Sequence, residues 1–248
     1  MEVHTHSHTP RKKWTHYFWE FFMLFLAVTA GFFVENRREH YVEHQREKQF
    51  IRSLIADIKA DTAKLGSIIL ARSERAKKLD SMSYWLNSSS APEHTDDIYY
   101  FAVAAARTLP FRFQPNDGTM VQLKNSGAFR LIRNYAAVDS ITKYDVGVRN
   151  IVRQGELEET LIHDYRGAAA KMFNALVFDR MLDADNIVSR IPLGNPPLLP
   201  YSQADLQVWN YKLYSMKALN KAMRRDAKLL LEHAISLLNT LKKNYGLE

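Results

Sequence analysis

The sequence predicts an all-α fold, in which a single N-terminal transmembrane helix continues into an elongated antiparallel helical bundle or coiled-coil-like domain. Three observations lead to this prediction. An apolar run near the N-terminus is long enough to cross a bilayer, and apolar residues recur every three or four positions over most of the chain that follows. Glycine (9) and proline (8), the residues that break helices, are scarce among the 248 residues.

Residues 17–34, "YFWEFFMLFLAVTAGFFV", form the predicted membrane span. Eighteen helical residues at about 1.5 Å each reach about 27 Å, close to the hydrocarbon thickness of a bilayer. Glu20 is the one charge in the run, and Trp14 and Trp19 lie at its basic end, where amphipathic rings favour the headgroup layer. The run therefore predicts an anchor that contacts the lipid bilayer.

Two alternatives to a retained anchor stay open. A signal peptidase would accept Val28-x-Ala30 as a cleavage site, and a buried helix of a soluble protein has a similar composition. The apolar residues continue for four positions beyond Ala30 and include bulky aromatic side chains, which favours retention over cleavage.

Basic residues flank the span on both sides, at 11–13 and again between 37 and 48. Long domains cross a membrane largely regardless of their charge, and the first basic cluster directly abuts the span. We therefore expect a cytoplasmic, histidine-rich and basic tail at 1–16, a single span at 17–34, and an all-α domain at 35–248 on the opposite side of the membrane.

Periodic apolar residues predict three long helices in this domain, at about 35–86, 135–186 and 203–244, with short helices at about 95–134. If the second long helix returns antiparallel to the first, residues 191–201 lie at the membrane-proximal end of the domain. In the first long helix, five apolar residues follow a seven-residue spacing: Ile51, Ile58, Leu65, Leu79 and Leu86.

A glycine and two polar residues interrupt the apolar pattern of the other two long helices. Gly155 and Glu158 interrupt the second helix, whereas the third keeps a 3-4 spacing over five heptads with Asn220 as its one polar member. An asparagine at such a position can fix the register of a bundle, and it can equally be a tolerated polar residue of the core.

The segment "HYVEH" matches the H-x-x-E-H pattern of zinc enzymes, in which two histidines one helical turn apart bind the metal. Its members, His40, Glu43 and His44, are weak candidates for a metal site. The segment is polar on every side, and charged residues three or four positions apart are typical of a solvated helix face. The sequence therefore predicts no metal site.

The segment 107–133 is the most basic part of the domain. It carries five basic residues against the single acid Asp117: Arg107, Arg112, Lys124, Arg130 and Arg133. Arginines near exposed helix starts can bind a carboxylate, a phosphate or an anionic glycan. The alternative is that they pair with acids of the long helices, so these five residues are a candidate anion site.

Composition narrows the function classes. The formal charge of +7 is spread along the chain with both signs mixed, whereas nucleic-acid binders concentrate their positive charge. The chain has no cysteine, which excludes disulfides, thiolate metal sites and cysteine nucleophiles. It also has no phosphate loop, nucleotide fingerprint or G-x-S-x-G motif, so we expect neither nucleic-acid binding nor a cofactor.

Three segments have a distinctive sequence: "EFFMLFLAVTAGFFVENRRE" (20–39), "QREKQFIRSLIADIKADT" (45–62) and "LKNSGAFRLIRN" (123–134). Together they resemble a group of uncharacterised single-pass membrane proteins of Bacteroidetes-type bacteria. In that group an N-terminal anchor precedes a helical domain with an L-K-x-S-G-x-x-R-L-I segment. The resemblance covers about half of the chain and implies a bacterial envelope protein, without an activity or functional residues to transfer. With the orientation expected above, it implies a span in the bacterial inner membrane and a periplasmic helical domain.

These features predict a membrane-anchored, non-catalytic structural or interaction protein of the bacterial envelope. Exposed heptad seams and a long helix leaving the membrane favour homo-oligomers or an envelope protein partner. The alternative is a ligand-sensing module in which the basic segment 107–133 binds an anion. A third hypothesis is a metal-dependent hydrolase that uses His40, Glu43 and His44.

Overall fold

The computed structural model describes residues 13–107 and 111–247. It divides into two compact units, Met1–Gln49 and Phe50–Glu248. Most of the predicted tail at 1–16, including its alternating histidines, lies outside the described residues.

Six α-helices and no strand are found in the described residues, which confirms the predicted all-α class. The helices are α1 (Trp14–Leu86), α2 (Thr95–Ala105), α3 (Gly118–Asn125), α4 (Tyr135–Ala169), α5 (Ala175–Arg180) and α6 (Gln203–Tyr245). Short 3-10 helices lie at Ala91–His94 and Ala128–Leu131, and one isolated antiparallel bridge joins Leu182 and Val188.

The second long helix is shorter than predicted, since it ends at Ala169 rather than near residue 186. The reason is a new helix start. The side chain of Asn174 accepts a hydrogen bond from the backbone N–H of Leu176, and this caps the separate helix α5. Gly155, which interrupts the apolar pattern, lies inside α4 without ending it.

Helix α6 has the clearest local signals for its bounds. Ser202 and Asp205 form a reciprocal capping box at its start. Gly246 ends the helix in the left-handed conformation (φ 60°), which glycine adopts at little cost.

The N-terminal unit contains the apolar part of α1. Among the described residues, α1 is the one helix that is long and apolar enough to cross a membrane, and none of its apolar window is buried. Large side chains such as Phe21, Leu24 and Phe32 are exposed in this window.

The C-terminal unit packs the part of α1 that follows residue 49 against α4 and α6 in two apolar clusters. One cluster joins Ile51 of α1, Ile141 of α4 and Leu241 of α6. The other joins Met82 of α1, Tyr165 of α4 and Trp209 of α6. Residue numbers thus rise together along α1 and α4 and fall along α6, so α4 is parallel to α1 and α6 is antiparallel to both.

The parallel direction of α4 corrects the expected position of residues 191–201. The backbone N–H of Leu193 donates to the carboxylate of Asp96 (3.0 Å), and the hydroxyl of Tyr99 donates to the carbonyl oxygen of Pro197 (3.1 Å). Both partners belong to α2, whose residues join the cluster that contains Leu86. The segment therefore lies at the Leu86 end of the unit and not at the Phe50 end.

The chain between α2 and α4 returns along α1, and this return makes the parallel direction possible. Residues 111–119 form four hydrogen bonds with α1, and as their numbers rise those of their α1 partners fall. Arg72 donates to the carbonyl oxygen of Phe111, and Lys64 donates to that of Gln114. Asp61 accepts from the N–H of Asn116, and Asp57 accepts from the N–H of Thr119. Residues 111–119 therefore bring the chain back to the Phe50 end, where α4 begins.

Candidate functional site

A buried ionic layer separates the two apolar clusters of the C-terminal unit. The seven-residue spacing that begins at Ile51 passes through position 72 between Leu65 and Leu79, and Arg72 occupies it with only 1% of its surface exposed. Arg75, almost one helical turn further along α1, is 2% exposed. Charged residues are almost never fully buried unless they are paired, so each of these guanidinium groups needs partners.

The partner of both arginines is Glu158 of α4. Arg72 donates through Nη1 to Oε1 (3.0 Å) and through Nη2 to Oε2 (2.9 Å), a bidentate arrangement that matches the planar guanidinium to the carboxylate. Arg75 donates through Nη1 to the same Oε1. The layer therefore contains two positive charges and one negative charge.

Backbone carbonyl groups accept further hydrogen bonds from the two arginines. Nε and Nη2 of Arg75 both donate to the carbonyl oxygen of Ala105, at 3.1 and 2.8 Å. Nη2 of Arg72 donates to that of Phe111 (3.0 Å), whose ring centroid lies 4.6 Å from the Arg75 guanidinium carbon. The two arginines thus hold the end of α2 and the start of the returning segment.

Asn220 connects α6 to this layer. Its Oδ1 accepts a hydrogen bond from Nη1 of Arg72 (3.2 Å), and its Nδ2 donates to the backbone carbonyl of Arg72 (3.0 Å). The side chain is 1% exposed, so both of its polar atoms are paired inside the core. All three long helices therefore meet at one set of directional contacts.

Burial and pairing act in opposite directions on the acid of the layer. Burial raises the pKa of Glu158, but the hydrogen bonds and positive charges of Arg72 and Arg75 outweigh it, so the pKa lies below its ordinary value. Burial also lowers the pKa of Arg75, although a guanidinium remains protonated at any physiological pH. The layer is thus ionised and carries a net positive charge.

A second polar group, centred on Asp61, attaches the returning segment to α1. Its Oδ1 accepts from the backbone N–H (2.8 Å) and the side-chain amide (3.0 Å) of Asn116. Its Oδ2 accepts from the hydroxyl of Tyr144 on α4 (2.9 Å). Burial and the charge of Asp61 raise the pKa of Tyr144, so this hydroxyl remains a donor.

The structure gives two of the five predicted anion-binding residues acidic partners on α4. Nη1 of Arg112 lies 2.9 Å from Oε1 of Glu159, and Nζ of Lys124 lies 2.6 Å from Oδ1 of Asp145. These contacts fit the alternative in which the basic segment pairs with acids of a long helix. Arg130 and Arg133 have exposed side chains, in and just after the second 3-10 helix.

Arg107, the fifth predicted residue, is half-buried and lines a cleft of about 490 Å³. Arg166 of α4 lines the same cleft and donates through Nη2 to the carbonyl oxygen of Ala106 (2.9 Å). The other lining residues are mostly small or aromatic: Ala102, Val103, Ala106, Tyr165, Ala169, Ala170, Phe173, Ala175, Phe178, Leu182 and Asn186.

The residues of the "HYVEH" segment contact acids on their own helix. Nδ1 of His40 lies 3.7 Å from Oε2 of Glu43, and Nδ1 of His44 lies 3.2 Å from Oε2 of Glu47. Within the described part of the chain, no group of three or more histidine, aspartate or glutamate side chains is arranged to hold a metal ion.

Sequence reasoning did not identify the ionic layer. The signal for Arg72 was a charged residue at the position of the seven-residue spacing, between Leu65 and Leu79, where an apolar residue is expected. The signal for Glu158 was its interruption of an apolar stripe, since a charge at a core position requires a partner of opposite sign.

Comparisons with known proteins give no functional assignment for this site. No protein-family model, curated protein or solved structure matches the chain. The resemblance to single-pass membrane proteins therefore stays a prediction.

Proposed function

We propose that the protein is anchored in the bacterial inner membrane by residues 17–34 and that its helical unit lies in the periplasm. In this proposal the helical unit is not catalytic and acts by associating with a second copy or with another envelope protein. The anchor and the association rest on different observations, and each has its own test.

The exposed apolar window of α1 carries the anchor proposal. Side chains such as Phe21 (67% exposed), Met23 (63%) and Phe33 (62%) face outward on several sides of the helix. Apolar surface of this extent is unfavourable in water at about 25 cal/mol per Å², and a bilayer removes that cost. A core helix of a soluble protein would be buried instead, which is why the exposure supports a lipid-facing segment.

An open groove between α4 and α6 carries the association proposal. Its volume is about 480 Å³, and Leu157 of α4 and Leu229 of α6 lie along it with 56% and 48% of their surfaces exposed. The returning segment forms its contacts with α1 and α4, through residues such as Asn116 and Arg112. No described segment lines the groove besides α4 and α6 themselves. An amphipathic helix of a partner can lay its apolar face in such a groove, where Leu157 and Leu229 provide apolar contacts.

A ligand-sensing module is the second candidate function. The half-buried Arg107, at a cleft without acidic lining residues, is the observation that favours it. This candidate involves a different surface from the α4–α6 groove, so both functions can belong to one molecule.

Cysteine labelling of intact cells tests the anchor and its orientation. The chain has no cysteine, so Ser89→Cys introduces a single exposed thiol at the Leu86 end of the unit. A membrane-impermeant maleimide is expected to label the variant in intact cells, and the product is expected in the membrane fraction. Labelling only after lysis would place the helical unit in the cytoplasm, and a labelled, shortened, soluble product would identify a cleaved signal.

Cross-linking in native membranes tests the association. Leu229→Cys places a thiol in the groove, and Leu70→Cys is the matched control because Leu70 is 71% exposed on α1. A short cross-linker with one maleimide and one succinimidyl ester, which joins the introduced thiol to a nearby lysine amine, is expected to link the groove variant to a second copy or to one partner of defined mass. Equal cross-linking of both variants, or of neither, would contradict the proposal.

A further inference from the structure

The cleft beside Arg107 is formed by small side chains at the meeting of three elements. Ala102 and Val103 come from α2, Ala169 from the end of α4, and Ala175 and Phe178 from α5. Alanine on all three elements leaves space that larger side chains would fill. The resulting volume of about 490 Å³ is within the range of roughly 300–1,000 Å³ that is usual for small-molecule sites.

The walls of the cleft are apolar over most of their surface. Phe173 and Phe178 stack with ring centroids 5.5 Å apart and form an aromatic wall. Tyr165 contributes its ring, because its hydroxyl already donates to the carbonyl oxygen of Ala102 (3.1 Å). An occupant of this cleft therefore needs a hydrocarbon part to contact the walls.

The charge of the cleft is positive. Arg107 and Arg166 line it, and no aspartate or glutamate does. Arg166 donates to the carbonyl oxygen of Ala106, whereas Arg107 makes no hydrogen bond or ion pair in the described part of the chain. Glu74 lines a neighbouring cleft that Arg107 also borders, but it pairs with Lys77 at 2.7 Å. A half-buried guanidinium without a carboxylate is a site where an anion is favourable.

We propose that this cleft binds a free, single-chain long-chain carboxylate. Arg107 binds the carboxylate group, with Arg166 as a second positive charge beside it, and the hydrocarbon chain lies against Phe173 and Phe178. Inorganic phosphate and other small anions are disfavoured as the main ligand, because they have no hydrocarbon part to contact the apolar walls. An uncharged hydrocarbon is disfavoured because it would leave the charge of Arg107 without a partner. The cleft has the volume of one small molecule and not of a two-chain lipid. This inference does not depend on association through the α4–α6 groove.

Calorimetric titration of the full chain in phosphatidylcholine nanodiscs tests the proposal, with dodecanoate as the probe and empty nanodiscs as the blank. One dodecanoate is expected to bind per chain in a saturable manner. Dodecanol, which lacks the charge, and acetate, which lacks the chain, are expected to bind at least tenfold more weakly.

Three variants separate the charge from the space. Arg107→Gln is expected to weaken dodecanoate binding about ten- to one-hundredfold, the usual effect of losing a charge-assisted hydrogen bond. Ala175 is exposed at the wall of the cleft, so the larger side chain in Ala175→Phe is expected to fill the cleft and abolish binding. Arg180→Gln removes an exposed α5 arginine outside the cleft and is expected to leave binding unchanged. Thermal unfolding of each variant before titration verifies that it is folded.

Three results would overturn the proposal. The first is heat of dodecanoate binding no greater than that of empty nanodiscs. The second is equal affinity of the wild type and Arg107→Gln, or equal affinity for dodecanoate and dodecanol. The third is loss of dodecanoate binding when phosphatidylglycerol replaces phosphatidylcholine, because competition by that lipid would identify a bilayer lipid as the occupant.

Discussion

Arg72 of α1 and Glu158 of α4 form a bidentate ion pair inside the core, with Nη2 of the arginine 2.9 Å from Oε2 of the glutamate. Their side chains are 1% and 7% exposed, so water does not screen the pair. A buried ion pair gains little over an apolar pair of the same shape, but removing one partner is strongly destabilising. Because Arg75 shares the same carboxylate, Glu158 is the residue on which the layer depends most.

Glu158→Gln is therefore expected to lower the free energy of unfolding by about 3–5 kcal/mol, because it leaves two buried guanidinium groups without a carboxylate. The neighbouring substitution Glu159→Gln is the control, since the side chain of Glu159 is 49% exposed and pairs with the exposed Arg112. That change is expected to cost less than about 1 kcal/mol. Urea unfolding of the full chain in detergent micelles, followed by circular dichroism, measures both. Similar losses in the two variants would argue against a special role of the layer.

The same carboxylate predicts a pH dependence. The pKa of Glu158 is lower in the folded protein than in the unfolded chain, so its contribution is complete above the unfolded value of about 4.5. As the pH falls below that value towards the folded pKa, the contribution is lost, because the unfolded state takes up the proton first. The difference in unfolding free energy between the wild type and Glu158→Gln should shrink as the pH falls from about 4.5 towards the folded pKa of Glu158. A difference that stays constant across this range would contradict the assignment.

Asp61 is expected to hold the returning segment in place. Asp61→Ala removes the acceptor of Asn116 and of the Tyr144 hydroxyl, at a cost of about 1–3 kcal/mol for the buried donors left without a partner. Asp61→Asn should be milder, since its amide oxygen still accepts from Asn116 and the tyrosine hydroxyl can rotate to accept from the amide NH₂.

Hydrogen exchange measures the effect locally. The amides of Asn116 and Thr119 should exchange faster in Asp61→Ala than in the wild type. Asp80→Ala, which changes an exposed acid of the same helix, should leave them unchanged. Unaltered protection in Asp61→Ala would show that other contacts hold the segment.

Two glycines of α4 provide a matched pair of packing tests. A Cβ atom on Gly155 meets nothing within 4 Å, so Gly155→Ala should stabilise the protein by about 0.5–1 kcal/mol through helix propensity. A Cβ atom on Gly147 would lie 2.9 Å from Cδ1 of the buried Leu230. Gly147→Ala should therefore be about 1–3 kcal/mol less stable than Gly155→Ala because of overpacking. Thermal unfolding of the two variants gives the order, and the reverse order would contradict the packing of α4 on α6.

The helical periodicity of the sequence was sufficient to predict the all-α class, because an apolar stripe at helical spacing is a local property. The direction of α4 was not predictable in this way. It depends on the contacts of residues 111–119 with α1, such as that of Asn116 with Asp61, and periodicity contains no information on them. The end of α4 was also missed, because the cap at Asn174 lies within a stretch that keeps apolar spacing.

The ionic layer was not predictable for a different reason. Arginine and glutamate are seldom buried, so single-helix patterns assign them to solvent. Arg72 and Glu158 are separated by 86 positions. Each can be buried because it pairs with the other, and this pairing is visible only in the folded structure. Of the candidate anion residues, sequence charge identified Arg107 but not Arg166, which lies on a helix that also carries several acids.

The contact between Arg72 and Asn220 also affects how the chain is made. These residues are 148 positions apart, and of the six described helices the one that carries the asparagine is synthesised last. Until α6 is made, it cannot cover the apolar stripe of α1. Arg72 and Arg75 place two charges in the middle of that stripe, whereas a continuous row of leucines would favour association between nascent chains. The buried arginines are therefore expected to limit association between nascent chains, in addition to their contacts in the finished fold.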